Sequence, residues 1–311
     1  MKRVWALHLA LLAVLFAAQF WLSPYHSTNL ARIMVLAVFA MGYNLAFGYT
    51  GMLSLGHALF LAAGMYSASL LAQLWGLGAG PALLLGIAGG VLMAAAVGLL
   101  ALRTAGVSFM IVTLMFAQAG YLAVLYFGAT TGGDEGFALP PATRSLFGFD
   151  LSTDTPRFLA ALTLFAAALL ISVALVRSPF GRTMVAMREN EERSRMLGYN
   201  PFTVKLAALT LSGLYAGAAG AAYAILFGYA GASFATIQYS ILPMLYVLLG
   251  GAGTTIGPFL GAFLMFALIE TASGLTSAYL FFVGAALVAL VLFAPKGILG
   301  TIRERWVRWL P

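Results

Sequence analysis

The sequence predicts an all-α, polytopic transmembrane helix bundle of about ten spans, within a range of eight to ten. Three observations lead to this fold class: the composition, the lengths of the apolar windows and the placement of lysine and arginine. Of the 311 residues, 62% are hydrophobic and 8% are charged, whereas a soluble protein is roughly half apolar and a quarter charged. So few charged residues cannot cover this much apolar surface in water, so a lipid bilayer is the solvent that suits the chain.

Ten windows of the sequence are apolar and nearly free of charge, and each is a candidate membrane span. A helix needs about 20 mostly apolar residues to cross the hydrocarbon core. The windows are residues 4–22, 33–48, 52–74, 81–102, 105–127, 158–176, 206–228, 239–252, 256–273 and 278–294. The eighth is short, so the count falls to nine or eight if that segment is re-entrant.

The first window raises the alternative of a cleaved signal peptide, because it follows a basic start, MKR. Its apolar run, residues 4–22, is longer than the roughly 7–15 apolar residues of a signal-peptide core. No motif of small residues suited to cleavage precedes Ser23. We therefore expect a retained first span.

The lysines and arginines fall predominantly on one side of the predicted bundle. With ten spans and a cytoplasmic N-terminus, the inside receives 13 of the 16: Lys2, Arg3, Arg103, Arg177, Arg182, Arg188, Arg193, Arg195, Lys205, Lys296, Arg303, Arg305 and Arg308. The outside receives Arg32, Arg144 and Arg157, together with the acids Asp134, Glu135, Asp150 and Asp154. This asymmetry places both termini in the cytoplasm. The net charge of +7 therefore reflects membrane topology rather than nucleic-acid binding.

Several kinds of chemistry are disfavoured by the residues present. The chain has no cysteine, which excludes disulfides and thiolate sites, and His8, His26 and His57 are too scattered for a zinc site. No chain of Asp, Glu or His runs through the spans, as a proton-driven carrier requires. We expect no catalytic residue and no metal site, a packed and hydrogen-bonded His57, and a structural Glu270 near the outer end of the ninth span.

Two segments outside the windows are long enough to carry a function. Residues 128–157 form an external segment rich in Gly, Pro, Thr and Asp, including TTGGDEGF, which we interpret as a structured loop. Residues 177–205 form an internal loop that we interpret as one amphipathic helix. Its apolar positions are Met184, Met187, Met196 and Leu197, and charges crowd residues 188–195. Gly198 and the Asn200-Pro201 pair are typical of a helix end.

Glycine interrupts two apolar runs, at residues 42–64 and 248–263. Glycine frees backbone polar groups, which at membrane depth must be buried in protein or line a wet cavity. One interpretation is a pair of broken helices along a transport path; the other is a plain turn between packed helices. The candidate path residues are Gly48, Tyr49, Thr50, Gly51, Ser54, Gly56, His57, Gln118, Gly250, Gly251 and Gly253.

Other glycines recur at a spacing of four, which lets helix backbones approach closely in lipid. The pairs are Gly86 and Gly90, Gly213 and Gly217, and Gly257 and Gly261. This spacing predicts a tightly packed bundle.

The chain resembles the LivM/LivH family of permeases, which belong to ABC importers of branched-chain amino acids, and the LivM branch in particular. The similar segments run in order along most of the chain. They are NLAFGYTGMLSLGHALFLAAGMYSASLL at 44–71, RTAGVSFMIVTLMFAQ at 103–118, TGGDEGF at 131–137, SPFGRTMVAMRENEERSRMLGYNPFTVKLAALTLSGLYAGAAGAAYA at 178–224, SILPMLYVLLGGAGTTIGPFLGAF at 240–263 and APKGILG at 294–300.

The resemblance implies that the internal loop couples to an ATPase. ABC permeases carry a Glu-Ala-Ala motif followed after three residues by Gly; here Glu192 and Gly198 hold the register, with Arg193 and Ser194 replacing the alanines. The implied coupling residues are Arg188, Glu189, Asn190, Glu192, Arg193, Met196, Leu197 and Gly198. A helix on the membrane surface is the alternative, although three glutamates disfavour anionic lipid.

The resemblance also implies the rest of the assembly. It consists of a second, paralogous LivH-like permease, two ATPase subunits that hold ATP and Mg²⁺, and a periplasmic binding protein. The binding protein would dock on Asp134, Glu135, Arg144 and Arg157. The chain itself, residues 1–311, is then one permease domain of the bacterial inner membrane, without a bound cofactor, moving branched-chain or related amino acids by alternating access. The competing hypothesis is a stand-alone secondary transporter or channel for a small polar solute.

Overall fold

Thirteen helices make up most of the part of the chain that the structure, a computed structural model, describes. The described residues are 2–146, 148–275 and 296–305, with single positions at 278, 281, 284, 285, 288, 292 and 294. The helices are α1 Lys2–Ala18, α2 Pro24–Asn44, α3 His57–Trp75, α4 Ala79–Ala101, α5 Gly106–Tyr126, α6 Gly128–Thr131, α7 Asp154–Arg177, α8 Pro179–Glu189, α9 Glu191–Met196, α10 Pro201–Phe227, α11 Ile237–Gly250, α12 Gly257–Leu275 and α13 Gly297–Arg305. The described part of the chain is therefore predominantly helical, in agreement with the predicted fold class.

Seven of these helices are long and apolar enough to cross a membrane: α2 with its continuation to Tyr49, α3, α4, α5, α7, α10 and α12. They fall on the second to seventh and the ninth predicted windows. The first and eighth windows fall on shorter apolar helices, Val4–Ala18 and Ile237–Gly250. The tenth window, residues 278–294, lies outside the continuously described residues. A polytopic helical bundle is therefore confirmed, with seven long helices in the described part.

The longest helix, α10, shows how the sequence sets its own boundaries. Asn200 caps its start, since its Oδ1 accepts hydrogen bonds from the backbone N–H of Phe202 at 3.0 Å and of Thr203 at 3.4 Å. Pro201 follows in the first turn, where its missing N–H costs nothing. Gly228 ends the helix in the left-handed conformation at φ 71°, which glycine adopts without a steric penalty.

The core of the bundle is built from glycines on α3, α4 and α10. A β-carbon placed on Gly64 would lie 2.4 Å from Cα of Gly217, and one on Gly90 would lie 2.5 Å from the same atom. The backbones of these helices therefore touch, with no room for any side chain between them. The close packing predicted from the glycine spacing is confirmed, and it extends to Gly261, whose added β-carbon would lie 1.8 Å from the carbonyl oxygen of Tyr246.

The two ends of the bundle differ in charge. We call the end that carries α8 and α9 the basic end, and the other, which carries residues 128–153, the opposite end. His8 of α1 contacts Thr255 through a 2.7 Å hydrogen bond between its Nε2 and the threonine Oγ1. Gly300 of α13 packs against Gly251. Both α1 and α13 therefore reach the basic end.

The internal loop forms two helices, so the prediction of one amphipathic helix is wrong. α8 and α9 are separated at Asn190, whose backbone is extended, with φ −159° and ψ 104°. Its Oδ1 accepts a 2.8 Å hydrogen bond from the backbone N–H of Arg193. Asparagine is favoured at this position because its short side chain accepts a hydrogen bond from one of the backbone N–H groups that have no acceptor at the start of a helix.

The segment at the opposite end is a folded loop, as the sequence predicts. It contains α6, a 3₁₀ turn at Pro141–Arg144 and three short strands: β1 Phe137–Ala138, β2 Ser145–Leu146 and β3 Phe149–Asp150. β2 and β3 pair as an antiparallel hairpin, and β1 pairs antiparallel with β4, Tyr229–Ala230. The pairing with β4 ties the loop to the end of α10.

Candidate functional site

The two glycine-interrupted segments lie against each other at the basic end. In the first, α2 passes into a π-helical turn at Leu45–Tyr49, residues 50–56 are not helical, and α3 begins at His57. In the second, α11 ends at Gly250 and α12 begins at Gly257. We call residues 44–56 and 250–257 the junction. The third window begins at residue 52, whereas its helix begins only at His57, because the chain is not helical from residue 50 and Gly51 adopts φ 78°.

Asn44 clamps the two halves of the junction together. Its Nδ2 donates to the carbonyl oxygen of Thr254 at 2.9 Å, and its Oδ1 accepts from the backbone N–H of Gly253 at 2.9 Å. The side chain is only 2% exposed. A loop that leaves a helix carries backbone groups without helical partners, and one buried amide satisfies two of them.

Gly48 is required by this clamp. A β-carbon on Gly48 would lie 1.8 Å from Oδ1 of Asn44 and 2.6 Å from the backbone nitrogen of Gly253. These distances are far below van der Waals contact, so a side chain at this position would separate the two segments. The glycine therefore allows a close approach of backbones rather than merely breaking a helix.

Two arginines donate hydrogen bonds to backbone carbonyl oxygens of the junction. Arg188 of α8 donates from Nη1 to the carbonyl oxygen of Gly48. Arg303 of α13 donates from Nη1 to the carbonyl oxygen of Gly253 at 3.1 Å. Charged donors form the stronger class of hydrogen bond. The loop helix α8 and the helix α13 are thus each fastened to one of the two broken segments.

The start of α3 lies inside the bundle, where side chains from other helices satisfy its first turn. The backbone N–H of Leu55 donates to Thr113 Oγ1 at 3.1 Å, and that of Ala58 donates to Ser240 Oγ at 2.9 Å. Nε2 of His57 lies 2.7 Å from Ser212 Oγ, with the ring fully buried. Ser212 stands about 17 Å along α10 from its first residue, at about 1.5 Å a residue. The packed, hydrogen-bonded His57 is confirmed.

A cavity of about 560 Å³ opens beside the junction at the basic end. Its walls are residues 50–53 of the junction, the turn from α4 to α5, and residues 187–191 of α8 and α9. Lys205 also lines it, in an ion pair with Glu191. Small-molecule sites span roughly 300–1,000 Å³, so this space suits a small solute next to the unwound chain.

Most of the residues predicted for a transport path are brought together, but at two depths. The first group lies at the basic end: Gly48, Tyr49, Thr50, Gly51, Gly250, Gly251 and Gly253. Ser54, Gly56 and His57 lie deeper: Gly56 packs against Thr113 and donates its N–H to Ser54, and His57 bonds Ser212. Gln118 is exposed on α5, away from both groups. Each of the two interpretations from the sequence describes one part of this arrangement. The plain turn corresponds to residues 49–51, and the broken helix corresponds to the unwound stretch within the bundle.

Sequence reasoning missed the residues that close the junction and those that hold the start of α3. They are Asn44, Ser212, Ser240, Thr254 and Arg303. Asn44 offered a signal, since an amide inside an apolar span seeks a partner on another helix. The serines offered none, because hydroxyls are common in spans and often bond their own helix.

The residues predicted to couple to a partner divide into two groups. Met196 and Leu197 are 84% and 72% exposed, and Glu192, Arg193 and Gly198 are exposed around them. Asn190 and Arg188 hold the chain's own structure through the cap of α9 and the bond to the junction; Glu189 is exposed. Met187 is buried against the bundle at 3% exposure.

The residues predicted to dock a binding protein also divide. Asp134 and Glu135 are exposed. Arg144 instead donates to the carbonyl oxygens of Ile225 and Leu226, both at 2.7 Å, and burial lowers the pKa of its guanidinium, which remains a cation at neutral pH. Arg157 pairs with Asp154 at 3.3 Å.

Comparison with known proteins places the sequence among transport proteins. Residues 25–293 match the profile of the family described as the branched-chain amino acid transport system permease component. The high-affinity branched-chain amino acid transport system permease protein LivM of Salmonella typhimurium is 30% identical, over 96% of this chain and 75% of its own length. LivM of Escherichia coli is 31% identical, over 88% of this chain and 69% of its own length.

A second group of relatives is similar over a shorter stretch. The autoinducer 2 import system permease protein LsrC of Photorhabdus laumondii is 32% identical over 38% of this chain and 38% of its own length. No solved structure matches the chain.

Proposed function

The chain belongs to the branched-chain amino acid transport system permease family, and from that premise we propose that it moves branched-chain or related amino acids across the bacterial inner membrane. In this proposal it is the membrane-spanning subunit of an ATP-driven importer that works by alternating access. The observation that carries the proposal is the junction, where two unwound segments meet beside a cavity and are fastened to the loop helix α8 by Arg188.

The junction is suited to act as the inner gate of the path. Its halves are joined by the two bonds of Asn44, and the first half is also bonded to α8 through the carbonyl of Gly48. A shift of α8 would therefore pull on the unwound segment 50–53, which forms a wall of the cavity. Unwound backbone moves at less cost than a continuous helix, because fewer hydrogen bonds have to break together.

We assign the coupling surface to the exposed end of α9. Met196 and Leu197 offer apolar contacts, and the charges of Glu192 and Arg193 surround them. The partner would be an ATPase subunit, which holds the ATP and Mg²⁺. Arg188, Asn190 and Gly198 would transmit the movement of that surface to the junction and to α10.

The remaining features extend the same proposal. Both termini, and the basic end, would face the cytoplasm, as the lysine and arginine distribution supports, and the chain would act as one permease domain over residues 1–311 with about ten spans. The exposed carboxylates Asp134 and Glu135 would meet the periplasmic binding protein, while Arg144 and Arg157 would hold the loop in shape. A second, paralogous permease would complete the path.

Copurification from the native membrane tests the assembly. We expect the tagged chain to recover two ATPase subunits and a second permease. We expect the reconstituted complex to take up L-leucine, L-isoleucine or L-valine only when ATP is present on the side of the membrane that carries the ATPase subunits. Recovery of a solitary oligomer that transports without ATP would contradict the proposal and favour the stand-alone transporter.

Changing the exposed apolar pair of α9 tests the coupling surface. Replacing both Met196 and Leu197 by Asp should weaken ATPase binding by about tenfold or more, because burial of one such side chain is worth about 1.5–3 kcal/mol. The measurement is ATPase recovery and uptake per ATP hydrolysed. The exchange Met196→Leu with Leu197→Met keeps the apolar volume and is the matched control. Equal recovery for both double variants would place the coupling surface elsewhere.

A further inference from the structure

A second cavity, of about 600 Å³, lies at the opposite end of the bundle. It is bounded by α2, the first residue of α7 and the last turns of α12. The side chains that matter for its chemistry are Tyr25, Asn29, Arg32, Phe266, Ile269 and Glu270; the carboxylate of Asp154 also lines it and is paired with Arg157. The three from α2 are spaced four and three residues apart, so they lie on one face of that helix. The cavity is thus lined by charge on two facing helices and by apolar groups between.

Arg32 is the arginine of the opposite end that has no structural bond in the described part of the chain. Arg144 caps the end of α10, and Arg157 pairs with Asp154. The Nε of Arg32 is buried without a hydrogen-bond partner among the described residues. Its guanidinium carbon lies 5.3 Å from the ring centre of Phe227, an arrangement that orients the cation without using its N–H groups.

Asn29 lies one turn of α2 before Arg32 and, like Arg32, has a buried side-chain nitrogen, here Nδ2, without a hydrogen-bond partner among the described residues. Arg32 and Asn29 both line the cavity. The planar guanidinium of Arg32 is the preferred partner of a carboxylate, and the side-chain amide of Asn29 offers a further donor one turn away.

Glu270 supplies the opposite charge on the facing helix. Its Oε1 accepts a 2.7 Å hydrogen bond from the hydroxyl of Tyr25, and none of the ion pairs among the described residues includes Glu270 or Arg32. The sequence from 271 to 295 contains no charged residue, so that segment supplies no counter-ion to either group. The cavity is therefore lined by a cation and an anion that do not form an ion pair with each other in the described structure.

We propose that this cavity binds the zwitterionic head of a free α-amino acid. Arg32 and Asn29 bind the carboxylate, Glu270 binds the ammonium group, and Phe266 and Ile269 contact the side chain. The site rests on the proposed function, because it places the transported solute within the permease at the end away from the ATPase. A lipid head group with an ammonium and a phosphate offers related charges and is the competing occupant.

Analogue competition on the unmodified complex is the first test. The complex is purified with its copurifying subunits and placed in nanodiscs of phosphatidylcholine, and bound tritiated L-leucine is competed with L-leucinamide, which lacks the carboxylate, and with isocaproate, which lacks the amine. We expect each analogue to compete about tenfold or more weakly than L-leucine, since a charge-assisted hydrogen bond is lost in each case. Equal competition by all three compounds would overturn the proposal without any variant.

Substitutions assign the two charges. Arg32→Gln should remove the preference for L-leucine over L-leucinamide while Arg32→Lys restores part of it, and Glu270→Gln should remove the preference over isocaproate. Arg103→Gln is the control that leaves both preferences intact, because Arg103 is exposed and lines neither this cavity nor the one beside the junction. Retention of both preferences in the Arg32→Gln and Glu270→Gln variants would overturn the assignment. Thermal melting and subunit recovery identify a variant that fails to fold. In that case the analogue competition on the unmodified complex decides whether the proposal stands.

Two further measurements distinguish amino-acid binding from lipid binding, and distinguish failure of this inference from failure of the proposed function. If phosphatidylethanolamine in the nanodiscs displaces L-leucine from the site at equilibrium, the cavity is a lipid site and the inference is wrong. ATP-driven uptake is measured in parallel on the same complexes. Uptake by a complex that does not discriminate among the analogues overturns the inference alone, whereas absence of any branched-chain amino acid uptake overturns the proposed function.

Discussion

Replacing Asn44 by alanine is expected to destabilise the protein by about 2–6 kcal/mol and to abolish uptake. The change leaves the carbonyl of Thr254 and the N–H of Gly253 without partners inside the junction. A buried polar group left unsatisfied costs about 1–3 kcal/mol, and two are left here. The measurement is unfolding by sodium dodecyl sulfate in mixed micelles, together with uptake by the reconstituted complex.

The matched control for Asn44 is Gln118→Ala. This amide is exposed on α5, so its loss should change stability by less than about 0.5 kcal/mol. If Asn44→Ala and Gln118→Ala unfold at the same detergent fraction, the two bonds of Asn44 do not hold the junction closed. A variant that is destabilised but transports normally would show that the junction is structural and is not the gate.

Replacing Gly64 by alanine is expected to destabilise the packing of α3 against α10 strongly. The added carbon would lie 2.4 Å from both Cα and the carbonyl oxygen of Gly217. Neither atom belongs to a flexible side chain, so α3 and α10 must move apart. Overpacking costs about 1–3 kcal/mol, occasionally more, and a backbone clash belongs at the upper end. Yield of folded protein and the detergent unfolding midpoint measure the effect.

Gly274→Ala is the control for Gly64→Ala. Among the described residues, no heavy atom lies within 4 Å of a β-carbon placed on Gly274, in the last turn of α12. Alanine gains helix propensity over glycine by about 1 kcal/mol at both positions, so the difference between the two variants isolates the packing cost. Equal stabilities would mean that the helices separate without penalty, contrary to close packing of their backbones.

The helices were predictable because each depends on a property of its own segment. The second to seventh and the ninth windows became long helices, since an apolar run in lipid must satisfy its backbone internally. Asn200 and Gly228 mark the ends of α10 by local capping. The division of the internal loop at Asn190 was missed, because capping by asparagine competes with a helical periodicity that continues on both sides.

The candidate site was predictable only in part, because its contacts depend on segments that are distant in sequence. Glycines identified both unwound segments, but nothing in either segment specifies that Gly48 faces Gly253 or that Arg188 reaches Gly48. These contacts join residues far apart in sequence, about 205 and 140 positions. Arg144 gives another example: its sequence position predicts a docking role, which stays a prediction, and nothing local indicates that its guanidinium caps α10.

The sequence by itself determined that this protein is a helical membrane protein of its family, with a charged loop at residues 177–205. Composition, window length and ordered motifs carry that information locally, and lipid permits few other solutions. The tertiary structure alone decided that two unwound segments close on Asn44, that α8 is bonded to them, and that Arg32 faces Glu270 across a cavity. The physical reason is that a buried polar group must find a partner wherever packing brings one within reach, and packing depends on all the helices together.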